Sequence, residues 1–309
     1  MNIQTYPIQT TVSGDELTIT SFTHTAKKEG LRVYLQANLH GPEIFGSALL
    51  IKILDHLRAH PIEQGQLTIV PTANPIGVST QTYGMIHGRW NSQTGTDWNR
   101  QFAHAHPDSL EGSLSHTLLS IAQSHDVVLD IHTSGRSSIP HLYTATASSS
   151  FFSSLGADVH MLYQSSDYYG AFDETVWLQA KAQQKHVFAA TWEAASHQTI
   201  DEELLTKRFI NLLHWLIDVG LYSGPTQKNI HKDVPLSAVE WIYTTKSGYL
   251  SWLIPVGSIV KSDQPFANVY QPKTGIVETL SLPFAFQLVS QDTLQAVHTG
   301  AKIGKVIKW

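Results

Sequence analysis

The run "DVVLDIHTS" at residues 126–134 does most to restrict what this chain can fold into. A strand with one wet face alternates apolar and polar residues. This run is apolar at nearly every position, so it reads as a strand buried on both faces. Such a strand needs covering layers above and below its sheet, the arrangement of α/β proteins. The flanking sequence supplies them. Residues 31–39 (LRVYLQANL) read as a second strand. From Glu43 to His60 the apolar positions Ile44, Ala48, Ile51, Leu54 and Leu57 recur at helical spacing until Pro61. "QLTIVPTANP" (66–75) reads as a short buried strand, 113–125 and 173–185 as helices, and 141–146 and 186–193 as strands. Thr199 and Glu202 have capping-box spacing at the start of an amphipathic helix that runs to about Gly220. The alternation predicts an α/β fold with a mostly parallel mixed sheet flanked by helices.

Between these elements, residues 76–108 are rich in Gly, Asn, Thr and His and carry little periodicity. A loop that long inside a compact domain is usually functional. After "SGPTQKN" (223–229) the texture changes to short β-rich runs separated by Gly, Pro, Ser and Asp, with no helical period. The expectation is a catalytic domain over 1–225 and a small all-β domain over 226–309.

Charge and composition remove several function classes. A net charge of −5 with no basic run argues against nucleic-acid or anionic-membrane partners. No window approaches eighteen apolar residues, which excludes a transmembrane helix, and the N-terminus shows no secretory signal pattern. The absence of cysteine rules out disulfides and thiolate ligands and fits a cytoplasmic protein. Any metal must then be held by His, Asp or Glu, and the 17 histidines supply candidates.

In a parallel α/β sheet, ligands bind outside the C-terminal ends of the strands. Three predicted strands end in residues able to hold or serve a metal: the first in His40 with Glu43, "VVLDIHTS" in His132, and "VFAATWE" in Glu193. His40, Glu43 and His132 make the His₂Glu set used by catalytic zinc, which leaves a fourth position for water. Gly41-Pro42 folds the H-x-x-E step into a tight turn, so both donors can meet one ion. Asp130, two residues before His132, shares its face and can orient that imidazole. A single H-x-x-E recurs by chance, and a single strand-end histidine is commonly an interior one; the weight lies in the combination. His104 and His106 in "FAHAHP" offer a competing H-x-H pair. In the polar loop, Arg89 and Asn99-Arg100 suit a carboxylate clamp, with a surface pair between Asp97 and Arg100 as the plainer alternative.

"NLHGPE", "DWNRQF", "LDIHTS" and "TWEAA" stand in the order and approximate spacing of the succinylglutamate desuccinylase/aspartoacylase family, relatives of the zinc carboxypeptidases, which this chain resembles. The resemblance extends past residue 225, where "GSIVKSDQPFANVYQPKTGIVETL" is similar to a biotinyl-like hammerhead repeat. It implies a zinc-carboxypeptidase-like catalytic domain holding one zinc per chain on His40, Glu43 and His132. It implies Glu193 as general base and then acid, Asn99 and Arg100 as the grip on the amino-acid carboxylate, and Arg89 as the partner of the developing oxyanion. The implied activity is deacylation of a small N-acyl substrate; a homo-oligomer stays open. Two departures stand out. Acidic-acyl members carry an arginine shortly before the glutamate, where this chain has Lys181 and Lys185, and Trp98 replaces the usual Leu in "DWNR". A carboxypeptidase acting on short peptides would use the same ligands. A carrier module built on Lys273 in "VYQPKTG" is the reading from another class.

Overall fold

The structure, a computed structural model, describes residues 1–10, 13–82, 85–164, 170–292 and 294–308. Among them, nine strands form one mixed sheet. Its order is Asn2–Thr10, Glu16–Thr25, Gln64–Val70, Lys28–Ala37, Val127–Thr133, Phe188–Ala195, His141–Ala145, Val159–Tyr163 and Lys232–Pro235. The middle four run parallel. Antiparallel pairing enters through the N-terminal hairpin and where His141–Ala145 meets Phe188–Ala195.

Every residue of Val127–Thr133 is buried, as its sequence demands. The two-residue period of the strands splits the core. Val33, Leu35, Leu129 and Ile131 face the helices Ile44–Ala59 and Glu202–Asp218, whereas Tyr34 and Val128 face Leu110–Ala122 and Phe172–Ala182. Full burial of each such aliphatic side chain contributes about 1.5–3 kcal/mol. The Ile44–Ala59 helix sits unusually close to the sheet, because a Cβ on Gly46 would lie 2.9 Å from Ala37 and 3.0 Å from Ile131. This anchors the helix directly behind the loop at residues 40–43.

Several expectations need correction. The buried stripe of that helix is Phe45, Leu49, Leu50, Ile53, Leu54 and Leu57; Ile51 is 56% exposed, and Ile44 and Ala48 are half-buried. With apolar residues around much of the helix, spacing alone could not choose the face. The Glu202–Asp218 helix is capped by Asp201, whose carboxylate accepts from Leu204 N at 2.7 Å, and not by Thr199. The two N-terminal strands and Val159–Tyr163 were not anticipated. Lys232–Pro235 pairs in parallel with Val159–Tyr163, so the large sheet continues past residue 225.

The remaining C-terminal chain forms two antiparallel sheets around Ile242, Phe266, Phe286 and Val306. One includes Lys302–Lys308, paired with Phe286–Gln291, and Gln291 and Ser290 in turn pair with Ser137 and Ser138 beside the large sheet. Lys273 is exposed in the turn between Ala267–Gln271 and Ile276–Leu280. No helix among the described residues is long and apolar enough to cross a membrane.

One buried group makes stability depend on pH. Asp173, fully buried at the start of the Phe172–Ala182 helix, accepts from the Tyr163 hydroxyl at 3.2 Å, while its other oxygen has no partner among the described residues. Burial, reinforced by the charge of Asp130, pushes its carboxyl up to about 6. Because the folded value lies above the unfolded value of about 3.9, ionisation costs stability that is intact near pH 4 and lost as pH rises through 6. Asp173→Asn is therefore expected to be more stable than wild type by about 2–3 kcal/mol at pH 7.5 and by little at pH 4. Urea melts at the two pH values check this; a gain independent of pH would refute it.

Candidate functional site

The loop after the Lys28–Ala37 strand is held by its own backbone. Asn38 takes a left-handed conformation (φ 61°), which asparagine tolerates, and its side-chain amide donates to the carbonyls of His40 and Gly41 at 2.9 and 3.1 Å. Glu43 N donates to His40 O at 3.1 Å, closing the turn expected from Gly41-Pro42. Gly41 can only be glycine here, since a Cβ would lie 2.1 Å from Gly77 O. The turn therefore presents His40 and Glu43 on one side, with the helix starting at Ile44 behind them.

His40, Glu43 and His132 are all buried, and their donor atoms lie within 4.8 Å of one another. Nδ1 of His40 is 2.8 Å from Glu43 Oε1, and Nδ1 of His132 is 2.7 Å from Oε2. The far nitrogens are anchored: His40 Nε2 stands 2.9 Å from Asp97 Oδ1, and His132 Nε2 stands 2.7 Å from Asp130 Oδ2. Each imidazole thus has a carboxylate behind it and its Nδ1 turned to a common point. That is how metal-ligating histidines are oriented. Burial alone would raise Glu43, yet the charges of His132 and His40 hold it well below the usual carboxylate range. For His132, burial is outweighed by Asp130 and Glu43, which raise its pKa.

Glu193 lies directly across the sheet from His132, in register. It is half-buried, and its Oε2 has no hydrogen-bond partner among the described residues. Burial pushes its carboxyl up to about 7, against the pull of Lys305. Arg89 reaches the group: its guanidinium is 3.8 Å from Glu43 Oε1 and 3.2 Å from Asp97 Oδ2. Asn99 is buried, and its side-chain oxygen Oδ1 accepts from Phe172 N at 2.9 Å. The Arg100 side chain, half-buried, donates to the backbone carbonyl of Asn99. The competing pair does not join the group, since His104 and His106 are both exposed.

Three contributors escaped the sequence reading. Asp97, expected at most as a surface partner of Arg100, is buried and holds His40 and Arg89; His40 and Arg89 together keep its pKa low despite burial. Its place two residues before Asn99-Arg100 was the available signal. His197 braces the strand end, its Nε2 accepting from Gly135 N at 3.2 Å and its Nδ1 standing 2.7 Å from the Thr133 hydroxyl. Lys305 carried no local signal at all.

A second cluster, His160, His231 and Asp233, also brings donors together. There the two rings stack at 3.7 Å, and Ser149 Oγ lies 2.8 Å from His160 Nδ1 and 2.6 Å from Asp233 Oδ1. His160 Nε2, fully buried, has no acceptor among the described residues. Binding a metal through Nδ1 would leave a buried N–H unsatisfied, so this cluster reads as a closed polar network.

The mixed α/β sheet thus carries, at the ends of its strands, a buried His-Glu-His group with a glutamate in register beside it. The model of the succinylglutamate desuccinylase/aspartoacylase catalytic domain matches residues 29–211, and the chain belongs to that family, whose members are hydrolases of the deacylase type. Solved structures agree in fold. A family protein from Shewanella amazonensis superposes with a TM-score of 0.88 at 23% identity, covering 99% of this chain and 98% of the other. One from Shewanella frigidimarina gives 0.87 at 22% identity, covering 99% and 96%. The product-bound ectoine utilization protein EutE (DoeB) from Ruegeria pomeroyi gives 0.76 at 16% identity, covering 98% and 93%. No curated protein matches the chain in sequence.

Proposed function

We propose that the protein is a zinc-dependent deacylase that hydrolyses the amide of an N-acyl amino acid or a similar small molecule. The observation that carries this reading is the row of His132 and Glu193 in register beside His40 and Glu43, with both imidazoles backed by carboxylates. The donor set suits zinc, two imidazole nitrogens and a carboxylate oxygen with room for a fourth ligand. When bound, zinc supplies a Lewis acid that polarises a carbonyl and makes water acidic near neutral pH.

The chain's own residues do the rest. Glu193, with a pKa near 7 and an unpartnered oxygen, accepts a proton from the attacking water and delivers it to the leaving amine nitrogen. Arg89, fixed by Asp97, offers a positive charge where the carbonyl oxygen becomes anionic. Arg100, with the amide of Asn99, grips the carboxylate of the amino-acid portion. In this reading the β-rich C-terminal region is a separate small domain that follows the catalytic one. The cysteine-free composition supports a cytoplasmic location.

Removal of the metal tests the assignment. Protein stripped with a chelator is expected to lose turnover of N-acyl amino acids and to regain it with one equivalent of zinc per chain. Full turnover after stripping refutes the zinc role. A strong preference for short peptides over N-acyl amino acids would make the protein a carboxypeptidase instead.

A further inference from the structure

Register stacks two rows of side chains on the face of the large sheet that carries the candidate site. Directly paired residues share a face, so His132, Glu193 and His141 form one row, with the Lys305 ammonium 3.1 Å from His141 Nε2 at its end. Two residues along each strand lies a second row on the same face: Gln36, Asp130, Thr191 and Tyr143. Gln36 and Asp130 have no exposed surface, and Thr191 is 2% exposed. Gln36 belongs to the strand Lys28–Ala37 that leads into the turn bearing His40, and Asp130 to the strand that ends in His132. This second row therefore ties together the two strands that deliver the imidazoles.

Its hydrogen bonds are half made. Asp130 Oδ2 holds His132 Nε2 at 2.7 Å, but Asp130 Oδ1 has no partner among the described residues. Gln36 Oε1 accepts from the Tyr34 hydroxyl at 2.8 Å, which leaves the amide nitrogen as a buried donor with no acceptor. The reverse amide orientation would offer the row a further acceptor and no donor. The Thr191 hydroxyl also lacks a partner among the described residues, with the Asp173 carboxyl nearby. One donor, one carboxylate oxygen and one hydroxyl thus stand unsatisfied on three neighbouring strands, at the same level. Each would cost about 1–3 kcal/mol if left so. A single water satisfies all three: it accepts from Gln36 Nε2 and donates to Asp130 Oδ1 and to Thr191 Oγ1. About three such bonds is the usual complement of an internal water. The hydrogen bonds then run unbroken from Tyr34 through Gln36 and the water to Asp130 and His132, each polarising the next.

We propose that Gln36, Asp130 and Thr191 bind one internal water molecule, and that Gln36, acting through it, is a positioning residue for His132. The inference rests on the reading of His132 as a metal ligand, and its test requires no turnover. Gln36→Met keeps the length of the side chain and removes the amide. It is expected to weaken zinc binding by about tenfold to a hundredfold, measured by competition with a chromophoric chelator. It should also move the NMR signal of the His132 Nε2 proton upfield, in zinc-loaded and metal-free protein alike. A side chain that only filled space would leave that proton where it is. Thr191→Val removes a second partner of the water and should act in the same direction, whereas Thr191→Ser, which keeps the hydroxyl, should behave as wild type. A high-resolution crystal structure should show one water within hydrogen-bonding distance of Gln36 Nε2, Asp130 Oδ1 and Thr191 Oγ1. Absence of that water, or an unchanged zinc affinity and proton signal in Gln36→Met, overturns the proposal. Should Gln36→Met fail to fold, the two Thr191 variants and the crystal structure decide it. Zinc affinity that depends on Gln36 in a protein cleaving no N-acyl amino acid defeats the deacylase reading alone. Cleavage with an affinity indifferent to Gln36 and Thr191 defeats this inference alone.

Discussion

On the proposed deacylase reading, Glu193→Gln is expected to match wild type in zinc content, one per chain, and to turn over N-acyl amino acids about 10²–10⁴-fold more slowly. The side chain keeps its shape and its place opposite His132, so nothing in the metal group should move. What disappears is the ability to take up a proton. Glu193 has one oxygen without a partner and a pKa brought to about 7, close to a working pH, which is the condition for an efficient proton shuttle. If its part were only to hold neighbours in place, the amide would substitute well and kcat would survive. Metal content and kcat measured on the same preparation decide between these outcomes. A zinc-loaded variant with wild-type kcat ends the general-base assignment.

His132→Ala is expected to abolish stoichiometric zinc and, with it, activity. It should also destabilise the protein, because His132 lies between two buried carboxylates, Glu43 and Asp130, at 2.7 Å from each. Removing the imidazole they share, and with it the metal, leaves both carboxylates buried without that partner, a change of the kind that costs about 3–5 kcal/mol. Elemental analysis and a thermal melt read the two effects separately. Retention of a full zinc equivalent with unchanged activity would show that the ligand group is elsewhere. Loss of zinc with unchanged stability would show that the carboxylates relax when the imidazole goes.

Much of this site was legible before any fold was known, and particular residues show why. His40, Glu43, His132 and Glu193 each stand at the end of an apolar run, and the geometry of a parallel sheet sends such ends to one side. Asp130 was legible too, since residues i and i+2 of a strand share a face. Asp97 was not. A carboxylate in an aperiodic loop gives no clue whether it meets solvent or a histidine 57 positions away. The helix Ile44–Ala59 shows a milder version of the same limit, its existence clear from spacing but its buried face set by how closely Gly46 lets it approach Ala37 and Ile131. The cap on the following long helix moved from Thr199 to Asp201 because several polar residues in that stretch can accept, and the path of the chain selects among them.

By itself, the amino-acid sequence determined the local period of each element, the class of fold, a group of donors that could hold a metal and the absence of any thiolate alternative. Those properties depend on residues a few positions apart. The tertiary structure decided which carboxylate stands behind His40, that His141 closes a row with His132 and Glu193, and that a lysine from the last strand lies over that row. These depend on strand order, register and the docking of one sheet against another. They are set by burial summed over the whole core, and no short stretch of sequence carries that sum.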